Sequence, residues 1–520
     1  METFEAIKTK YSKHSEADLI SVIAKLVSEN AYLKTLLFTS GRERTAKDPV
    51  GMTLMFNEVE TAIDDEEASL ADKSPEPDAK TPKEPKNPPR GKRKPLPVSL
   101  PRIRQEIDLA QADKICSIHN ISLVKIGEDI VEKLEIIPAQ VHVLQHVTLK
   151  YKCPCCEKGF HSAVRDPDPI PKSFASPSLL AYIATAKFVD GLPLYRQERI
   201  FDRLSIELGR TTMARWMIQM GQMALPLGQL MHEDLLASPV IHVDETEVQV
   251  ICEPGRTAQA KSYMWCIARQ TEQPIIMFNY EPSRSKKAAL GLLDSYSGTI
   301  VCDGYKVYNS LSFVLGCVIA GCFAHMRRKF WHAEKVAKKE AKKGTVIMAS
   351  KALALIKKIY AIEAKIKDRP PDEILKVRQE LSVPLLDTLL AWLKETELSV
   401  LPSSPTGKAV SYALGQWTKL IQFTMDGLVP IDNNFVEAHI RPFVIGRNAW
   451  LFSFTPKGAH ASAILYSLVE SAKANGIDPH DYLHLIFKEL PKSPTLDKLE
   501  KLLPYKAKEH FTLKPYLPAK

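Results

Sequence analysis

Three carboxylates hold positions from which they could act on one substrate. Asp244 ends the apolar run of "SPVIHVDETEVQV", Asp303 follows that of "GTIVCDGYKVYNSL", and Glu437 lies in "IDNNFVEAHIRP", residues 431–442. Acids at the ends of neighbouring buried strands converge, and two or three of them suffice to hold Mg²⁺ or Mn²⁺ through oxygen ligands. Two such ions about 3.5–4 Å apart activate a water and stabilise the attacking and leaving oxygens of a phosphodiester. Each acid also has a plainer use. Asp244 could turn the chain after its strand, and Asp303-Gly304 reads as a turn. Asn434 with Glu437 three residues on has the spacing of a capping box. Asp432, placed to help the turn into the helix, is the fallback to Glu437. The long Glu437 side chain is favoured because in a first helical turn it leans back toward the N-terminus, where the strand ends lie.

A second constellation is made of soft and borderline ligands. "KICSIHN" supplies Cys116 and His119 as C-x-x-H, and "YKCPCCEKG" supplies Cys153 and Cys156 as C-x-x-C. Between them "EKLEIIPAQVHVLQHVTLKYK" alternates like two strands joined through Pro138. Two ligand pairs brought together by such strands suit tetrahedral Zn²⁺, and a module this small would take much of its stability from the metal. Cys155 could replace Cys153 or remain a free thiol, and His161 is a further candidate ligand.

The elements that position these groups can be read along the 520 residues, a length that calls for several domains. Residues 1–45 form a helix whose Leu19, Ile23, Leu26, Asn30, Leu33 and Leu37 follow heptad spacing, a seam suited to self-association into a homo-oligomer. Residues 46–104 are an acidic-then-basic linker, Pro-rich and unable to bury a core. Its end carries Arg90, Lys92, Arg93 and Lys94, which suit DNA phosphates. Residues 105–165 are the zinc-ribbon-like β module.

Residues 166–236 read as helices, with Ser176 capping the first ahead of Pro177. A break near Gly209 gives a helix-turn-helix layout in which Thr211 or Thr212 caps the second helix, and Arg215 is its candidate DNA contact. Three strands, a helix and a further strand then make the mixed α/β plan of a ribonuclease-H-like domain over 237–326. "FVLGCVIAGCFA" reads as one more buried strand. A helical insertion spans 327–425, the acid-bearing helix 426–475, and a C-terminal tail 476–520. Arg327 and Arg328 open a basic helix, and Arg441 and Arg447 lie beyond Glu437; all four are candidate phosphate contacts, with pairing to local acids the alternative.

The net charge of +9 is modest, so basic patches rather than overall charge suggest a polyanion partner. The polar N-terminus does not read as a signal peptide, and no apolar run approaches the ~20 residues that span a bilayer. Cysteines scattered through apolar strands (Cys266, Cys302, Cys317) fit a reducing cytoplasm.

Taken together, "MTLMFNE", "GKRKPLPVSLPR", "GLPLYRQERIF", "HVDETEV", "VCDGYKVYN", "CFAHMRRKF", "VRQELSVPLLD" and "IDNNFVEAHIRPFVIGRNAWLFS" resemble a transposase of the insertion sequence 66 family over nearly the whole chain. The resemblance implies a D-D-E triad, which falls on Asp244, Asp303 and Glu437. It implies DNA partners, namely terminal inverted repeats and target DNA, and small accessory proteins of the same element. A bacterial cytoplasmic location, on the nucleoid when DNA is bound, goes with it. One departure is His119 where the family has a cysteine; histidine is a sound zinc ligand. Two other classes remain: a DNA-binding regulator or inactive remnant, and a nuclease that only cuts.

Overall fold

In a computed structural model of the chain, residues 102, 104, 140–152, 160–340 and 347–516 are described. The N-terminal heptad helix, the basic linker residues Arg90, Lys92, Arg93 and Lys94, and the zinc candidates Cys116, His119, Cys153, Cys155 and Cys156 lie outside them. Contacts divide the chain into two units, with 65–165 forming one and the rest the other. Within the smaller unit, β1 (Lys150–Lys152) pairs antiparallel with β2 (Phe160–Ser162) and so brackets the Cys153–Cys156 segment. The run 140–149, expected as strand, has no regular structure.

The larger unit opens with four helices, α1 (Pro177–Phe188), α2 (Leu194–Arg203), α3 (Arg210–Met223) and α4 (Leu225–Leu236). Ser176 caps α1 by accepting from the Leu179 N–H, as expected. At α3 the cap is different: Gly209 takes the N-cap position without a side chain, and Glu198 of α2 accepts the Arg210 N–H at 2.9 Å. A carboxylate from the preceding helix therefore does the work expected of Thr211 or Thr212. These helices do not form a core of their own. Leu180, Ile183, Met213, Met220 and Leu227 are fully buried in the same cluster as the sheet.

Five strands form that sheet: β3 (Val240–Gln249), β4 (Lys261–Arg269), β5 (Ile275–Glu281), β6 (Thr299–Cys302) and β7 (Val318–Gly321). Their spatial order is β5-β4-β3-β6-β7, with β3, β4 and β5 antiparallel and β3, β6 and β7 parallel. The parallel pairs are crossed by α5 (Lys286–Leu292) and α6 (Val307–Leu315). The expected long strand through "FVLGCVIAGCFA" is broken. Phe313 to Leu315 end α6, where Phe313 is 92% exposed, and Gly316 takes a left-handed conformation that stops the helix before β7 begins.

Alternation along β6 and β7 sorts side chains between two cores. Ile300, Cys302 and Ile319 face the main cluster, whereas Val301 and Ala320 face a second cluster built by the insertion. That insertion comprises α7 (Phe323–Glu340), α8 (Met348–Ile366), α9 (Pro371–Val377), a π-turn (Arg378–Ser382), α10 (Val383–Ser399) and α11 (Pro405–Leu420). The acid-bearing helix is α12 (Asn434–Trp450), followed by α13 (Pro456–Ala474). On α13, Ser467 and Ser471 accept the Phe278 and Ile276 N–H groups at 2.7 and 2.9 Å. Serines one turn apart thus satisfy the free donors of edge strand β5, which would otherwise template strand addition. The segment expected as a tail contains α14 (Pro479–Glu489), whose Tyr482, Leu483, Ile486 and Phe487 are fully buried. Among the described residues, no helix is long and apolar enough to cross a membrane.

Candidate active site

Register explains why Asp244 and Asp303 meet. Val240, Ile241 and His242 of β3 pair with Thr299, Ile300 and Val301 of β6. Extending this parallel register by two residues sets Asp244 level with Asp303, just past the point where β6 ends. Asp244 is not at the end of its own strand, since β3 runs on to Gln249; the gap beside it comes from the shorter partner. Asp244 Oδ1 accepts its neighbour's Glu245 N–H at 2.9 Å, and Asp303 Oδ1 accepts the Tyr305 N–H at 2.8 Å.

Gly304 is needed for space. A Cβ there would lie 2.9 Å from the Tyr412 ring of α11, so the Asp-Gly pair lets the insertion pack against the acid-bearing loop. Its conformation is not one reserved for glycine.

Glu437 reaches the same place through Asn433. This fully buried amide donates from Nδ2 to the Val243 carbonyl (3.0 Å) and accepts at Oδ1 from His242 Nδ1 (2.9 Å), while its backbone N–H donates to Cys322 Sγ (3.2 Å). The start of α12 is thereby fixed against β3 beside Asp244 and against the head of α7. No capping box forms. Asn433 occupies the N-cap position without capping, and Asn434 bonds Asp432. Asp432 does assist the turn, accepting the Asn434 N–H and the Tyr360 hydroxyl, so its oxygens have partners.

Glu437 is 5% exposed, with Arg328 Nη2 3.4 Å from Oε2 and His325 Nδ1 3.5 Å from Oε1. Neither His325 Nδ1 nor Glu437 Oε1 makes a hydrogen bond. Burial holds the Glu437 carboxyl above the ordinary range despite Arg328, and burial holds the His325 imidazole down at about 4, with Arg328 adding to it.

The electrostatics tie the three acids together. Burial, then the charges of Glu245, Glu437 and Asp303, push the Asp244 carboxyl well above the ordinary range. Repulsion among anions and an unpartnered buried carboxylate oxygen are relieved together by a cation, so the donor set fits a divalent ion with oxygen preference. Glu245 was not singled out from the sequence. It accepts the Tyr308 hydroxyl at 2.7 Å, lies 3.9 Å from Arg284, and is pushed up to about 7, mainly by burial. Its position next to Asp244 was the available signal. Cys322 was likewise missed, although it stands three residues before His325.

The candidate phosphate contacts separate. Arg215 is exposed on α3, and Arg327, Arg328 and Arg441 are partly exposed. Arg447 is buried and donates to Thr246 Oγ1 (3.1 Å) and to the Glu247 carbonyl, fastening α12 to β3. A guanidinium committed inside the fold is not available to DNA.

Comparison with known proteins covers most of the chain. The model described as Transposase IS66 family matches residues 172–461, more than half of the sequence, and the IS66 C-terminal element matches 467–505. The zinc-finger binding domain of transposase IS66 matches 113–157, and the model described as Transposase C of IS166 homeodomain matches 25–104. Two relatives from Sinorhizobium fredii (strain NBRC 101917 / NGR234), the uncharacterized proteins y4jD and y4qI, are each 29% identical. The alignments run over 423 and 483 residues, 79% and 90% of this chain and 81% and 86% of theirs.

Proposed function

The chain belongs to the IS66 transposase family, and from that premise we propose that it cleaves DNA at transposon ends and transfers the strands through Asp244, Asp303 and Glu437. The observation that carries this reading is the register that sets Asp244 level with Asp303, with Glu437 close enough for its charge to act on Asp244 and one of its buried oxygens left unpartnered. The strand order, antiparallel on one side of β3 and parallel on the other, supports a ribonuclease-H-like catalytic domain.

Asp244, Asp303 and Glu437 would hold Mg²⁺ or Mn²⁺, which supply an activated water and charge stabilisation for in-line displacement at phosphorus. The chain does the positioning. Backbone N–H groups orient Asp244 and Asp303, Asn433 sets the helix that carries Glu437, and Arg328 holds one Glu437 oxygen and leaves the other without a hydrogen bond. Cleavage frees a 3′-hydroxyl, which attacks target DNA in a second displacement at the same site.

Arg215, Arg327, Arg328 and Arg441 are the proposed phosphate contacts of the described residues, joined by the linker's Arg90, Lys92, Arg93 and Lys94. Cys116, His119, Cys153 and Cys156 are the proposed ligands of a structural Zn²⁺ in the zinc-finger region. Self-association through the N-terminal helix, accessory proteins of the same element and a place in the bacterial cytoplasm complete the reading.

Labelled element-end DNA incubated with the protein and Mg²⁺ tests it. Strand-transfer products are the expected result. Cleavage without transfer would point to a nuclease, and a shifted but uncut substrate to a regulator or inactive copy.

A further inference from the structure

The head of α7 brings sulfur and nitrogen to the Glu437 carboxylate. Cys322 immediately precedes the helix and His325 lies in its first turn. Ligand atoms of Cys322, His325 and Glu437 all fall within 4.8 Å of one another. We propose that these three residues form a second, softer cation site, selective for Zn²⁺-like ions, whose occupation draws Glu437 away from Asp244 and Asp303 and so blocks Mg²⁺-dependent chemistry. The binding half stands on its own geometry; the blocking half rests on the function proposed above.

Several observations point to a ligand. The Glu437 side chain is 6% exposed, yet its Oε1 has no hydrogen-bond partner, and the His325 Nδ1 3.5 Å away has none either. Two buried polar atoms facing each other without a bond leave a place for a cation. Cys322 is 1% exposed, and its sulfur accepts the Asn433 N–H, a contact that would stabilise a thiolate. Without a cation the thiol keeps its proton, because burial and the charges of Glu437 and Asp432 oppose ionisation.

The chemistry of the set decides which ion it takes. Thiolate, imidazole and carboxylate with one open position match the ligands of zinc. Mg²⁺ seeks oxygen in near-octahedral geometry and gains nothing from sulfur. Binding would release the thiol proton to solvent. The His325 side chain is 27% exposed, which leaves a way in. With Oε2 held by Arg328, Oε1 is the Glu437 oxygen left for a metal, so the two sites compete for it.

The test adds Co²⁺ to the full chain with its zinc-finger region already zinc-loaded. A thiolate-to-cobalt charge-transfer band saturating near one equivalent is expected. It should vanish in Cys322→Ser and in Cys322→Ala, compared at equal helix content by circular dichroism. His325→Cys should instead strengthen the band by adding a second sulfur, while still saturating near one equivalent at wild-type helix content. In the cleavage assay, Zn²⁺ should lower the Mg²⁺-supported rate of the wild type at least about tenfold, with far less effect on Cys322→Ser measured against its own zinc-free rate.

Absence of the band in the wild type, or its survival in both Cys322 variants, overturns the site. Equal zinc inhibition of wild type and Cys322→Ser overturns the competition. A band with the expected variant pattern and no DNA cleavage by any form supports the site while sinking the catalytic reading.

Discussion

Replacing Arg378 with lysine tests whether the insertion holds the acid-bearing helix α12 in place. Arg378 is 3% exposed in the π-turn between α9 and α10. Its guanidinium donates to both Glu363 oxygens (3.0 and 2.7 Å) and to the carbonyls of Phe423, Asp426 and Val429 (2.7, 3.0 and 2.9 Å). The last three belong to the connector that leads through Ile431, whose carbonyl accepts the Phe323 N–H, into Asn433 and α12. A lysine ammonium has three donors and no planar fork, so at least two of the five bonds are forfeited. At roughly 1.5–3 kcal/mol for each bond to a charged group, with Glu363 left poorly paired, the expected loss is about 3–5 kcal/mol. Urea unfolding followed by tryptophan fluorescence, to which Trp331, Trp392 and Trp417 of the insertion contribute, measures it. Cleavage should fall as well, because Glu437 is delivered by the same connector. A loss below about 1 kcal/mol, the level of one ordinary hydrogen bond, would refute the argument.

Other expectations follow from single contacts. Gly304→Val should destabilise the protein by about 1–3 kcal/mol through its clash with Tyr412, and Tyr412→Ala in the same chain should recover part of that loss in a thermal melt. His242 is fully buried and held down at about 4 by burial, so the folded state keeps it neutral while the unfolded chain protonates near 6.5. Stability in chelator should therefore decline as pH falls from 6.5 toward 4, by up to about 3 kcal/mol for this group, and His242→Gln should flatten that part of the profile. After extensive dialysis against a mild chelator, metal analysis should find about one tightly held zinc per chain, and Cys116→Ser should remove it; a zinc-free wild type would rule out the structural site.

Much of the site could be seen in the sequence because buried strands announce themselves. Val240, Ile241 and Val243 lead to Asp244, and Thr299 to Cys302 lead to Asp303, so both acids were placed where apolar runs give out. What could not be read was register. That Asp244 sits mid-strand, exposed to the site only because β6 stops at Cys302, depends on a pairing no local pattern encodes. Helix and strand were confused at Phe313 to Leu315 because a short apolar run before a glycine suits either. In "IDNNFVEAHIRP" the role of Asn433 has no local signal. The capping-box spacing of Asn434 and Glu437, the plainer alternative in the sequence, goes unused, and the neighbouring Asn433 turns inward to His242 and Val243. Its partners lie far away in sequence, and only the folded chain supplies them. The same holds for Arg447, which looks like a surface base beyond Glu437 and is instead buried against Thr246.

If Asp244, Asp303 and Glu437 act together on DNA, Asp303→Asn should remove the chemistry and spare the fold. Asparagine keeps the side-chain oxygen that accepts the Tyr305 N–H but removes the charge needed for metal. Cleavage of labelled end DNA in Mg²⁺ should be abolished while binding to that DNA stays close to wild type. Cleavage at the wild-type rate by Asp303→Asn would mean that these three acids do not form the catalytic site.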